Sequence, residues 1–258
     1  MTFAKTKLAL LAAAALGLTA CTTTQELSAT PELASHYADD IVRLSLIEID
    51  PGRIPEYKAF LKEEAETSVR IEPGVRVLYS AFEKELPHHL TILEIYDSPE
   101  AYRSHIASPH FVKYKEGTLN MVTKLDLVDC EPLSAQMPLK APQDGSYAND
   151  MVRLSRIEID PNRIDEYKAF LKEEAETSVR IEPGVRILYA AFEQKQPNRL
   201  TILEIYDNQE AYRSHIASPH FVKYKEGTLD MVTKLELIDC EPLSAQMPLK
   251  APAAMQTN

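Results

Sequence analysis

The chain has 258 residues, 45% hydrophobic and 26% charged, with 39 acidic against 28 basic side chains and a formal net charge of -11. That is ordinary globular composition, enough for one large or two small domains. No basic run stands out beyond the first ten residues, which excludes phosphate-backbone recognition, so no nucleic-acid partner is expected.

In chain order, the first element reads as an address. Lys5 and Lys7 precede the apolar run Leu8–Leu18, which is too short for an ordinary spanning helix. Leu18-Thr19-Ala20-Cys21 then resembles a bacterial lipobox. The expectation is a lipoprotein signal peptide over residues 1–20, lipidation at Cys21 and attachment to the bacterial cell envelope on its extracytoplasmic face. Residues 21–40 are polar, rich in Thr and Ser and without periodicity, the composition of a tether.

Beyond the tether the chain repeats itself. Residues 37–142 align with 147–252 at a constant offset of 110, without gaps, and differ at 17 of 106 positions. A period of this length is a domain rather than a solenoid repeat. The boundaries drawn are a first domain over 41–136, a linker over 137–150, a second domain over 151–246 and a tail over 247–258.

Each repeat reads as β-α-β-β-α-β. Ile41–Asp50 is rich in Ile, Val and Leu and stops at Pro51, a strand. Ile54, Tyr57, Leu61, Ala65 and Val69 recur at steps of three and four, with the charges of Lys62–Glu66 read as the solvent face of a helix. Glu72-Pro73-Gly74 ends it. Val75–Glu83 and Leu90–Asp97 form a hairpin, and Thr123–Cys130 is the last strand. Two strand–helix–strand halves describe a ferredoxin-like α+β unit. One such sheet has an open face and edges, and a second copy can cover them. The expected architecture is therefore two units paired within one chain. Cys130 and Cys240 occupy equivalent positions in the last strands and are expected to be buried structural thiols. They would pair only if both lay near the pseudo-two-fold axis.

Between the third and fourth strands stands EAYRSHIASPHF, present letter for letter at 100–111 and 210–221. Ser98-Pro99 opens a helix, and Ser108-Pro109 breaks it and opens another. The break lets His105 and His110 converge, and one of them could face a cavity. Glu94 shares a strand face with Leu90, Ile92 and Tyr96. A carboxylate among apolar neighbours needs a partner, and a histidine would be a natural one. His105, His110 and Glu94 could together offer three metal donors, but their spacing matches no standard site, and no metal is expected.

These stretches, LTILEIYDSPEAYRSHIASPHF (90–111), EPGVRVLYSAFE (72–83) and PGRIPEYKAFL (51–61), resemble the antibiotic biosynthesis monooxygenase domain over residues 41–134 and 151–244. The similarity is to its small quinol-monooxygenase-like and autoinducer-2-processing members. The resemblance implies a dimeric α/β barrel with a cavity in each unit and no metal, flavin or haem. It implies a small quinol-like or hydroxylated aromatic substrate that itself supplies electrons to O2. It places the motif histidines on His105 and His215, with His110 and His220, Glu94 and Glu204 completing the catalytic set. Tyr96, Tyr206, Phe111 and Phe221 are placed against the substrate. The absence of Trp argues against the haem-degrading branch, and no Asn occupies the first strand. Two other readings remain: a proton-transfer isomerase of small carbonyl compounds using the same histidine, and a non-catalytic envelope-anchored binding or stress protein.

Overall fold

The computed structural model describes residues 40–133 and 149–243. The signal segment, Cys21, nearly all of the tether, most of the linker and the tail lie outside these residues.

Strand β1 (Ile41–Ile49) passes through a 3-10 turn (Pro51–Arg53) into helix α1 (Ile54–Ile71). The hairpin β2 (Val75–Glu83) and β3 (His89–Tyr96) follows, then α2 (Pro99–Ile106), α3 (Pro109–Thr118) and β4 (Val122–Pro132). The second copy repeats the order as β5 (Met151–Ile159), α4 (Ile164–Ile181), β6 (Val185–Glu193), β7 (Arg199–Tyr206), α5 (Gln209–Ile216), α6 (Pro219–Thr228) and β8 (Val232–Pro242). The double Ser-Pro signal is realised: Ser98 Oγ accepts from the Ala101 amide at 3.1 Å, and Ser108 Oγ from the Phe111 amide at 3.3 Å. Asn208 caps the corresponding helix of the second copy.

Within a unit the antiparallel order is β2-β3-β1-β4, which leaves β2 and β4 as edges. Neither edge stays open. Ala81–Glu83 of β2 pairs with Cys240–Pro242 of β8, and Cys130–Pro132 of β4 pairs with Ala191–Glu193 of β6. The result is one closed ring, β1-β3-β2-β8-β5-β7-β6-β4, so the two repeats pair with each other inside a single chain.

Strand alternation decides what faces the lumen. On β1 the even positions, Val42 and Leu44, point inward, and the odd positions, Arg43, Ser45 and Ile47, point to the helices. Leu44, Tyr79 and Leu93 meet Leu154, Tyr189 and Leu203 in the lumen and leave a void of only about 10 Å³, room for about one water. A further pocket of about 170 Å³ opens at one seam beside Leu46 and Arg156, and the larger spaces lie on the outer faces, under the helices. Helix α1 is held there by Tyr57 and Leu61, both almost fully buried, at about 1.5–3 kcal/mol each. The hairpin passes tightly beneath α2: a Cβ on Gly74 would lie 2.5 Å from that of Ala101.

The cysteines are free and buried, as their strand positions suggested. Strands β4 and β8 are four steps apart in either direction around the ring. Eight strands at about 4.8 Å each make a ring about 12 Å across, and opposite strands are thus further apart than the roughly 7 Å between Cα atoms that a disulfide spans. Burial pushes both thiols up to about 12.

Candidate functional site

Each unit carries one cavity between the helix-facing side of its sheet and its three helices, about 470 Å³ in the first and about 330 Å³ in the second. Strands β1 and β3 supply Arg43, Ser45, Ile92, Glu94 and Tyr96, and the helices supply Leu61, Glu64, Tyr102, His105, Phe111 and Tyr114. Of the residues anticipated from sequence, His105, Glu94, Tyr96 and Phe111 stand in the wall, as do His215, Glu204, Tyr206 and Phe221. His110 and His220 are not wall residues.

His105 ends α2 and is only 2% exposed. Its Nδ1 lies 3.0 Å from Glu72 Oε1, and its Nε2 lies 3.6 Å from Glu64 Oε1. Glu72 is outside the wall and Glu64 is in it, so Nε2 is the cavity-side nitrogen. His110, at the start of α3, reaches the same Glu72 Oε1 from the other side, Nε2 to oxygen 2.6 Å. The second copy repeats this, with His215 Nδ1 and His220 Nε2 at 2.9 and 2.6 Å from Glu182 Oε1. Burial raises the Glu72 carboxyl, but hydrogen bonds from His105 and His110 outweigh it and hold the group below its ordinary value. Glu64 is different: burial raises it, opposed by the Ser68 hydroxyl, 2.7 Å away, and by His105.

Two expectations are corrected. Glu94 is not the histidines' partner. Its oxygens accept from Ser45 Oγ and, at 2.9 Å, from Tyr96 Oη. Neighbouring hydroxyls on the same sheet face satisfy it because β1 and β3 pair there in register, Ser45 beside Ile92 and Arg43 beside Glu94. In the second unit burial raises Glu204, opposed by Ser155 and Tyr206. Burial and the adjacent carboxylate also hold the Tyr96 phenol well above its ordinary range, so it remains a donor. The second correction concerns α1: Glu64, assigned to its solvent face, is buried. It lies three residues after Leu61 and four before buried Ser68, a spacing that marks the inward stripe and could have found it. Glu72 acts as more than a helix stop, and nothing local to its sequence signals this.

The profile of the family described as antibiotic biosynthesis monooxygenase matches residues 41–117 and 151–227, one match per repeat. This chain belongs to the antibiotic biosynthesis monooxygenase family. Among solved structures it is similar to a proposed monooxygenase of Lactobacillus acidophilus, 25% identical with a TM-score of 0.73, over 80% of this chain and 95% of that one. It shares its fold with a proposed monooxygenase of Fusobacterium nucleatum, 20% identical with a TM-score of 0.72, over 81% and 94%. A proposed family member from Bacteroides thetaiotaomicron is 62% identical with a TM-score of 0.40, aligning over its whole length with 41% of this chain. No curated protein matches.

Two further side chains shape the cavity. The Arg43 guanidinium lies 4.7 Å from the Tyr102 ring centre and pairs with Asp129 at 2.6 Å, which fixes a cation in the wall. Tyr114 Oη meets Tyr57 Oη at 2.6 Å. For a metal, the donors that converge are Glu72, His105 and His110, within 4.8 Å of one another, rather than a set including Glu94. Both short contacts in this trio are of hydrogen-bond length and are met by ring N–H groups donating to the carboxylate.

Proposed function

We propose that the chain is a cofactor-independent monooxygenase that oxidises a quinol-like or hydroxylated aromatic small molecule with O2, at two equivalent sites. The observation that carries this is His105: almost fully buried, in the cavity wall, with its inner nitrogen on an ionised carboxylate and its outer nitrogen toward the ligand space.

With Nδ1–H donating to Glu72, Nε2 keeps its lone pair and is the base. The Glu72 carboxylate stabilises the imidazolium that forms without taking the proton itself, the logic of a histidine oriented by a buried acid. For a hydroxyarene the balance closes as substrate plus O2 giving quinone plus water. The substrate O–H bond breaks and its proton moves to Nε2. The electron-rich ring reduces O2 and forms a C–O bond. The O–O bond then breaks as the ring C–H proton passes to the departing oxygen, which leaves as hydroxide, and the proton on Nε2 completes the water. Glu94, held by Ser45 and Tyr96, and the Phe111 ring bound the face on which this occurs. We further propose that Cys21 anchors the chain to the bacterial envelope; metabolic labelling with a radioactive fatty acid that a Cys21→Ser variant still incorporates would refute this.

Oxygen uptake with a panel of hydroxynaphthalenes and quinols is the test. His105→Ala should remove about half of the uptake, and the double change with His215→Ala should lower it about 10²–10⁴-fold. Wild-type uptake by the folded double variant would refute the assignment. Proton transfer on small carbonyl compounds without O2 consumption would favour the isomerase, and binding without turnover the non-catalytic binding protein.

A further inference from the structure

The cavities are not closed. Helix α1 packs over β2, α2 packs over β2 and β3, and α3 lies against α1; no helix has comparable contact with β4, whose middle is exposed. On that bare side stand Leu119, 74% exposed, and Leu125 and Leu127, 51% and 53% exposed. All three line the cavity. The second copy matches, with Leu229, Leu235 and Leu237 at 73%, 53% and 53% on the rim of its cavity. An outward strand face that meets water ordinarily carries polar side chains. Here the polar residues of mid-β4, Lys124 and Asp126, fall on the alternate positions, and the leucines face out beside the cavity mouth. A half-exposed apolar strip continuous with a ligand cavity marks a binding surface.

We propose that this strip is the subsite for a hydrocarbon chain, so that the ligand is an amphiphile: a hydroxylated ring under α2 beside His105, and an alkyl or prenyl tail lying along β4 or β8. The nature of the ring rests on the function proposed above; the tail rests on the strip alone. The cavity supplies the polarity gradient this needs. His105, Glu64 and Glu94 line it from α2, α1 and β3, and the leucines from β4 and the turn before it; the charges of Arg43, neutralised by Asp129, and of Lys115 complete the wall.

The test is isothermal titration of the whole protein, under nitrogen so that nothing turns over, with 1-naphthol and its 4-methyl, 4-propyl and 4-pentyl homologues. A fully buried methylene is worth about 0.8 kcal/mol, about fourfold in Kd. A strip that covers one side of the chain should give about half of that, about twofold per carbon, or about thirtyfold from naphthol to its pentyl homologue. Replacing Leu125, Leu127, Leu235 and Leu237 together by Ser should flatten the series to within about threefold. Leu119→Ser with Leu229→Ser, at loop positions, tests the same slope if the strand variant does not fold. Each variant is judged against its own affinity for naphthol. A flat wild-type series, or a slope that survives in both variants, overturns the subsite. Light scattering closes the remaining route: a wild-type dimer that the strand variant dissolves would show that a second copy covers the strip, and the proposal falls. Uptake of O2 with a flat series leaves the oxygenation standing and removes the tail, and a steep series without uptake does the reverse.

Discussion

Glu72 is the residue on which the proposed chemistry turns, and Glu72→Gln together with Glu182→Gln perturbs it with little change in volume. The carboxylate accepts from two imidazoles at 3.0 and 2.6 Å. A glutamine has one acceptor oxygen. Both rings meet the same Oε1, so a glutamine that presents its amide nitrogen there turns it to both of them, and at His105 the ring proton then moves to Nε2 and the base is lost. If the oxygen faces His105 instead, the tautomer survives but the charge opposite the imidazolium is gone. With charge centres about 4 Å apart and an effective dielectric constant of about 20, that charge is worth about 4 kcal/mol, about a thousandfold in rate. Both outcomes fall within the about 10²–10⁴ expected of a positioned general base. The assay is initial O2 uptake with a hydroxyarene, read as kcat/KM, with a thermal melt of each variant to show that it is folded. Either single change should leave about half of the activity, since the other site is intact. A folded double variant that keeps more than about a tenth of wild-type kcat/KM would refute the positioning role.

Two further outcomes follow from charges elsewhere. In the lumen, Arg156 Nη2 bridges the units to Glu83 Oε1 at 2.9 Å and to Thr91 Oγ1 at 3.2 Å. At the equivalent seam the first repeat has Leu46, and the facing Glu193 is raised by burial. A urea-denaturation double-mutant cycle of Arg156→Leu and Glu83→Gln should show about 1–3 kcal/mol of coupling, and coupling near zero would mean the bridge contributes nothing. For pH, Glu64 and Glu174 are raised above 4.5 by burial, against opposition from Ser68 and Ser178, His105 and His215. A raised carboxyl contributes stability that is present below the unfolded value and lost as pH rises through the folded one. Glu64→Gln with Glu174→Gln should therefore raise the Tm near pH 7 and leave it unchanged near pH 4. A gain of equal size at both, or none, contradicts the burial argument. Glu72 and Glu182, held low by their histidines, act oppositely and lose their contribution as pH falls below 4.5.

The strands were legible because alternation and β-branched content are local properties, and the double helix start was legible because Ser-Pro is a local cap. Ring closure was anticipated as a general need of an open sheet, but the seam register was not. It depends on which three residues of Cys130–Pro132 and Ala191–Glu193 meet across units. The site divides along the same line. The strand face of Glu94 and Tyr96 and the convergence of the two histidines follow from period and break. The pairing of those histidines with Glu72 requires the end of α1 to lie beneath the α2–α3 break, a contact between segments 33 and 38 residues apart. Glu64 failed for another reason: it stands at the boundary of the apolar stripe, where charge and spacing point in opposite directions, and spacing prevailed because Ser68 and His105 were there to meet it.

The two copies then show what the architecture fixes and what it leaves free. Every residue of the trio, its Glu64 counterpart and the hydroxyls on Glu94 is present in both. Five of the 17 differences sit in the hairpin stretch 84–89, which is exposed at 84–87 and only half-buried at 88 and 89. The others that reach the interior are of a different kind. Ser80 Oγ is buried without a hydrogen-bond partner among the described residues, and the second copy has Ala190 there, which removes an unsatisfied group at no cost in volume. Leu46 against Arg156 makes the two seams of one ring unlike. In a dimer of identical chains a substitution at this position would change both seams together. Fusion into one chain lets a single arginine bridge one seam while the other keeps its leucine, so the barrel can be adjusted on one side without touching either cavity.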